Sequence, residues 1–220
     1  MKSMIALALV SLMSFAAQAE KKISFNFVGK ELVEVIETYS KASGQKFVVD
    51  NVVRGKITIL NNEEITLTDA FNQLSSALAI NGFTYVKTGE MMVVRNARAA
   101  QRDGIEVFTN TLPNAQPTRM VLWIVDLKHV NAASVQSNLG RMMTSSYGEM
   151  LAVNDKNQII VSDWSTAIPR VAEMIKNLDV KSTPQMLKFA AENKAWAKEF
   201  AKKKEQTEKI IAPESKKVTE

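Results

Sequence analysis

The 220-residue chain has no cysteine, a single histidine, and after its first residues no apolar run long enough to span a bilayer. Each absence excludes a class of protein. Without cysteine no disulfide can hold the folds, so each must be stabilised by its own core, and no lipid can be attached through a thiol. His129, with no cysteine and no second imidazole, cannot assemble a usual zinc site; its position at a strand end suits a residue without a catalytic role. The eight glycines never stand three residues apart, which removes the G-x-x-G backbone clamp of KH-type RNA-binding domains, and there is no phosphate loop. Glu63-Glu64 and the scattered aspartates form no acid pair. Asp155 and Asn157 lack the ligand spacing and closing Glu of a calcium loop and read as turn residues. With no nucleophile motif either, the expectation is a non-enzyme without metal or cofactor.

Charge of one sign is also scarce where a binding fold would need it. The formal net charge is +5, yet residues 20–180 hold 17 basic and 17 acidic side chains. The excess lies in residues 181–220, with 10 lysines against 6 glutamates. A basic tail is not a basic face, so nucleic acid is not an expected partner.

What is present begins with an export signal. Lys2 precedes an apolar run from Met4 to Ala17, and Ala17-Gln18-Ala19 is a small-x-small cleavage pattern before Glu20. The run is shorter than the roughly 20 residues a membrane span needs. Residues 1–19 are therefore expected to be removed, leaving the remainder in the periplasm.

Two small α/β modules follow. In the first, residues 21–96, Ile23, Phe25 and Phe27 alternate with polar residues as in a half-buried strand, broken at Gly29. Leu32, Val35, Ile36 and Tyr39 mark one helix face, closed by Gly44. Strands at Phe47–Val49 and Ile57–Leu60 flank a turn at Val52–Lys56. A second helix, capped by Thr68, buries Phe71, Leu74 and Leu78 and stops at Asn81-Gly82; a hairpin around Thr88-Gly89-Glu90 closes the module. The order is β-α-β-β-α-β-β. Residues 97–119 contain two prolines and no sustained periodicity and read as a linker, with a short strand near Ile105–Phe108. The second module, residues 120–180, is β-α-β-β-α, the element order of KH-like folds. It has a central strand Val121–Leu127, a helix capped by Asn131 with Val135, Leu139 and Met142 inward, a hairpin around 154–157, and a last helix burying Ile168, Val171, Ile175 and Leu178. The fold class is α+β.

The first module resembles the first N-terminal domain of the secretins, the outer-membrane channels of type II secretion and type IV pilus systems; this is also the short domain of some TonB-dependent transducers. The likeness rests on Phe25-x-Phe27, Val35-Ile36, Phe47-Val48-Val49-Asp50, Val53-Arg54-Gly55-Lys56-Ile57-Thr58 and Gly82-Phe83 with Val93-Val94-Arg95. The second module is similar to the second N-terminal domain type of the same family, through Val125–Ala132, Asn157–Asp163 and Ile175–Asp179. The resemblance implies a periplasmic protein-protein interaction module for protein secretion or pilus assembly. Its partners would be an inner-membrane platform component or a secreted substrate, with ring-forming self-association also known in the family. Since the family's barrel does not follow before Glu220, an interaction role without the channel is expected. The alternative is a signalling domain docking on a membrane-bound regulator, as in the transducers; a hydrolase has no supporting residues. The surface expected to receive a partner is Ile23, Phe25, Phe27, Arg54, Lys56 and Thr58, where Lys56 is a charge that limits indiscriminate edge pairing.

Residues 181–220 form a Lys-rich tail. Thr183-Pro184 suits a helix start, and Met186, Phe189, Asn193, Trp196 and Phe200 fall at heptad-like spacing, too briefly for a coiled coil. Three readings stand: docking onto a partner or the second module, adsorption to an anionic membrane through a basic amphipathic face, or a frayed helix running into disorder.

Overall fold

A computed structural model describes residues 21–144 and 146–211, with side chains described up to Thr207. The export signal over 1–19 and the end of the tail lie outside these residues. The described residues form two compact units, one of 21–106 with 114–121 and 164–166, the other of 107–113 with 122–163 and 167–211. The architecture is α+β, with small sheets and no closed barrel among the described residues.

The first unit runs β1 (Lys22–Ile23), β2 (Phe27–Glu31), α1 (Leu32–Ser43), β3 (Lys46–Val49), β4 (Lys56–Ile59), β5 (Ile65–Thr66), α2 (Leu67–Ile80), β6 (Phe83–Thr88), β7 (Met91–Asn96) and the short α3 (Ala97–Ala100). β3, β7 and β6 make one sheet in that order, with β3 parallel and β6 antiparallel to β7. β2 and β4 form a separate antiparallel ribbon, and β1 pairs with β5. The single strand expected over Ile23–Phe27 is thus two strands with different partners. Gly29 does not end it; with φ +60 it sits at the register shift inside β2, a backbone shape that costs glycine little.

Helix α1 forms for the reasons its spacing gives. Leu32, Val35, Ile36 and Tyr39 are buried, and Gly44 at φ 75 closes the last turn by donating to the Ser40 carbonyl. Its N-terminus lacks a side-chain cap, and the Leu32 N–H instead reaches the Gly55 carbonyl at 2.9 Å. Helix α2 is capped by Thr66 and not by Thr68, the Thr66 hydroxyl accepting from the Asp69 N–H at 3.0 Å. Both threonines suit a cap, and the β1–β5 pairing sets the first helical turn at Leu67. One core is shared by the helices, by Phe27, Ile57 and Ile59 of the ribbon, and by Phe47, Val49 and Met92 of the sheet. Fully buried Leu32, Leu74 and Leu78 each contribute about 1.5–3 kcal/mol by leaving water. An aromatic chain threads the core: Phe25 against Tyr39, Tyr39 against Phe71, and Phe71 against Tyr85. Burial pushes the Tyr85 phenol up to about 12. Residues 114–121, which the sequence divides between the linker (to 119) and the start of the second module, group with this unit by contact. Thr118 N–H donates to Ser75 Oγ and Met120 N–H to Thr84 Oγ1, both at 3.0 Å, which satisfies two buried hydroxyls.

Next come β8 (Glu106–Thr109), β9 (Met120–Asp126), α4 (Ala132–Leu139), β10 (Glu149–Val153), β11 (Gln158–Trp164), α5 (Ile168–Leu178) and α6 (Pro184–Ile211), with sheet order β10-β11-β9-β8. Asn131 caps α4 as expected, its Oδ1 accepting from Ala133 N–H at 2.9 Å. Met142 is not inward. A 3-10 turn over Gly140–Met142 rotates it out to 52 % exposure, and Met143 fills the core position instead. Leu178, in the last turn of α5, is likewise 39 % exposed, while Ile168, Val171 and Ile175 are buried.

Asp179 closes this unit. Its carboxylate accepts from three consecutive backbone N–H groups, those of Lys128, His129 and Val130, at 2.6–3.2 Å. Partial burial raises its pKa, but the three N–H bonds together with the His129 charge outweigh that and hold it below the ordinary aspartate value. A depressed carboxylate stabilises the fold above its unfolded pKa of about 4, and the contribution is lost as pH falls through the lower folded value. The urea midpoint is therefore expected to fall as pH drops below about 4. In Asp179→Asn the midpoint should be lower at neutral pH, with that part of the pH dependence flattened.

Candidate protein-interaction surface

The motif Asp50…Val53-Arg54-Gly55 builds the surface by dividing labour among its residues. Asp50 extends β3 by donating its N–H to Val94 O, then folds the chain through its side chain, Oδ1 accepting from Val52 N–H at 3.2 Å. Val53, 6 % exposed, anchors the turn in the core. Gly55 receives the first N–H of α1 at φ +130, and a Cβ there would lie 2.5 Å from Asn81 Oδ1. Arg54 is left pointing outward between two fixed neighbours.

From this turn β4 runs antiparallel to β2, pairing Glu31 with Lys56, Lys30 with Ile57 and Phe27 with Ile59. The shift between Phe27 and Lys30 is closed by the Gly29 N–H donating to Thr58 Oγ1 at 3.1 Å. The ribbon has only two strands, so each keeps an outer edge without a ladder partner among the described residues. Its inner side chains, Phe27, Ile57 and Ile59, pack on the core, while Val28, Lys30, Lys56, Thr58 and Leu60 face outward. Lys56 lies 3.8 Å from Glu31, both well exposed, a pair that adds little stability and leaves the lysine available.

Of the six residues the sequence points to, Arg54, Lys56 and Thr58 stand exposed on one ribbon and its approach turn. Ile23 and Phe27 are half-buried, Ile23 on the separate β1–β5 pair. Phe25 is a correction. It is fully buried edge-to-face on Phe27 at 4.9 Å, because the chain leaves strand geometry between β1 and β2 and turns the ring inward. Its side chain packs the core and offers a partner nothing.

The sequence missed a groove of about 350 Å³ beside the ribbon. Ile57–Leu60 form one wall, Asn72, Gln73, Ser76, Ala77 and Ile80 of α2 the other. Asn61 and Gln73 close one end through paired amide hydrogen bonds at 2.9 Å. Leu60 and Ile80 stand 71 % and 78 % exposed at its rim. Ile80 carried a signal: it is an apolar residue off the buried Leu74–Leu78 stripe of its own helix. His129 has an exposed side chain, and its backbone N–H donates to Asp179. Among the described residues no group of three or more His, Cys, Asp or Glu could hold a metal ion, and no helix is long and apolar enough to cross a membrane.

Comparison with known proteins converges on one family. Residues 25–112 match the GspD-like N0 domain, and residues 123–183 match the bacterial type II/III secretion system short domain. The secretin XcpQ of Pseudomonas aeruginosa is 27 % identical over 167 residues, 76 % of this chain and 24 % of XcpQ. The secretin GspD of Vibrio cholerae is 22 % identical over 172 residues, 77 % of this chain and 25 % of GspD. The chain thus spans about a quarter of the length of these curated relatives. A solved Klebsiella pneumoniae type II secretion outer-membrane complex, containing PulD, PulS and the PulC HR domain, shares the fold with a TM-score of 0.63 and 21 % identity, over 71 % of this chain and 26 % of that one. Residues 25–112 and 123–183 thus match, in order, an N0 domain and a secretin short domain, and the chain is similar to the N-terminal domains of the secretins.

Proposed function

We propose that residues 23–179 act in the periplasm as a protein-protein interaction module of a type II secretion machine, binding and not catalysing, and not themselves forming the channel wall. The observation that carries this reading is the two-stranded β2–β4 ribbon, with unpaired edges, a bulge at Gly29 and an apolar groove beside β4. An open edge offers main-chain hydrogen bonds to an added strand, and the groove offers a pocket for its side chains. Arg54 and Lys56 supply the charge that selects and steers an acidic partner strand. The solved Klebsiella complex contains the PulC HR domain together with PulD, which makes a domain of that kind the proposed occupant of this surface.

The test is charge reversal at Arg54 and Lys56 with the PulC HR domain of Klebsiella pneumoniae as the probe. Arg54→Glu with Lys56→Glu is expected to weaken that binding about tenfold, mostly through slower association, while the unfolding midpoint stays put because both side chains are exposed. Unchanged binding would remove the ribbon from the interface.

A further inference from the structure

Every described side chain of helix α6 from Pro184 to Thr207 is exposed. At 28 residues it is about 42 Å long. Its start is well defined, with Thr183 accepting from Met186 N–H through its hydroxyl and from Leu187 N–H through its carbonyl. Met186, Phe189, Trp196 and Phe200 stand three, seven and four residues apart and so share one stripe, 46–65 % exposed. The Trp196 and Phe200 rings stack with centroids 5.3 Å apart, presenting one continuous aromatic surface. Lys188, Lys194, Lys198 and Lys202 lie on the opposite side, and the helix carries seven lysines against four glutamates.

We propose that α6 is a membrane-surface helix that adsorbs to anionic lipid, inserting the Met186–Phe200 stripe among the headgroups while its lysines pair with them. The composition fits a surface site and not a span: low net hydropathy, a lysine-rich polar face and tryptophan on the apolar one. Tryptophan is favoured where one side of the ring is apolar and the other wet. Lys203 and Lys204 flank the end of the stripe, where long stems can lie along the apolar layer with their charges in water. A second copy of the helix fits less well. The stripe is interrupted at Asn193 and gives way to Lys203 and Thr207, too short for a coiled-coil seam, and two helices of the same net positive charge repel. Anionic headgroups turn that same charge into attraction.

Trp196 supplies its own readout, because Trp123 and Trp164 are 4 % and 7 % exposed. The chain from Glu20 onward is mixed with phosphatidylcholine vesicles, or with vesicles containing 30 mol % phosphatidylglycerol, and bound protein is recovered by sedimentation. Recovery with anionic vesicles is expected to exceed that with neutral ones about tenfold, to fall with added salt, and to be accompanied by a blue shift of tryptophan emission. Phe189→Ser, Trp196→Ser and Phe200→Ser together should abolish recovery with the unfolding midpoint unchanged, since all three rings are more than half exposed. Equal recovery of the variant, or none of the parent from anionic vesicles, would overturn the proposal. A dimer in velocity sedimentation that the variant loses would assign the stripe to a second copy and overturn it as well.

Discussion

Phe25→Ala is expected to lower the stability of the first unit by about 3–5 kcal/mol, read as a large fall in urea midpoint. The ring is fully buried, held edge-to-face by Phe27 at 4.9 Å and Tyr39 at 6.4 Å. Its own carbonyl accepts from Asn61 Nδ2, which fixes the backbone and prevents the site from collapsing around the deleted ring. Both the transfer free energy and the cavity term are therefore lost. Small domains have a total stability of about 5–15 kcal/mol, so the loss is a substantial fraction of the whole. The contrast with Arg54→Glu and Lys56→Glu is the diagnostic one. The ring change should reduce folded protein, and the charge changes should reduce partner binding by protein that remains folded. A Phe25→Ala variant with a parental midpoint and lost binding would return the residue to the surface.

Asn157→Ala is expected to cost the second unit about 2–4 kcal/mol. Asn157 stands at φ 51, where a side chain other than Asn or Asp is strained. Its Oδ1 accepts from Ala132 N–H at 2.9 Å, and its Nδ2 donates to the carbonyls of Leu127 and Val130 at 3.1 and 3.0 Å. Leu127 N–H returns a bond to the Asn157 carbonyl at 3.0 Å. One residue thus ties the β10–β11 hairpin to the loop between β9 and α4, and alanine leaves three backbone groups without partners. Asn157→Gly separates the contributions: it relieves the φ strain but keeps the loss of hydrogen bonds. If glycine restores the parental midpoint, the side-chain bonds are worth little and the strain is the whole effect.

What could be read in the sequence was whatever depends on one element's own periodicity. The stripe Leu32, Val35, Ile36, Tyr39 is buried as spaced, the hairpin turns at Gly89-Glu90, and Asn131 caps α4. What could not be read depends on a partner strand. Alternation at Ile23, Phe25 and Phe27 says that side chains take turns, and it is silent on the switch from a β5 ladder to a β4 ladder that buries Phe25. The cap falls on Thr66, the residue that β1 holds in place. Met142 follows the helical period of α4, but the helix tightens into a 3-10 turn one residue after Leu139. On the proposed interaction surface, the exposure of Arg54, Lys56 and Thr58 was legible because charge and alternation mark an outward strand face. The groove was not, since its walls come from β4 and α2 and meet only in the folded chain.

The Asp179 clamp has a mechanical consequence. The carboxylate stands between the last turn of α5 and the start of α6, and it grips the loop that follows β9. A pull on the tail therefore reaches three N–H bonds at once, in parallel, and is handed to the middle of the unit without first unwinding α5. Such a latch yields all together or not at all. Protonating one carboxylate slackens every strand of it in the same instant, so the anchorage of the tail would weaken in acid even where the sheet behind it holds.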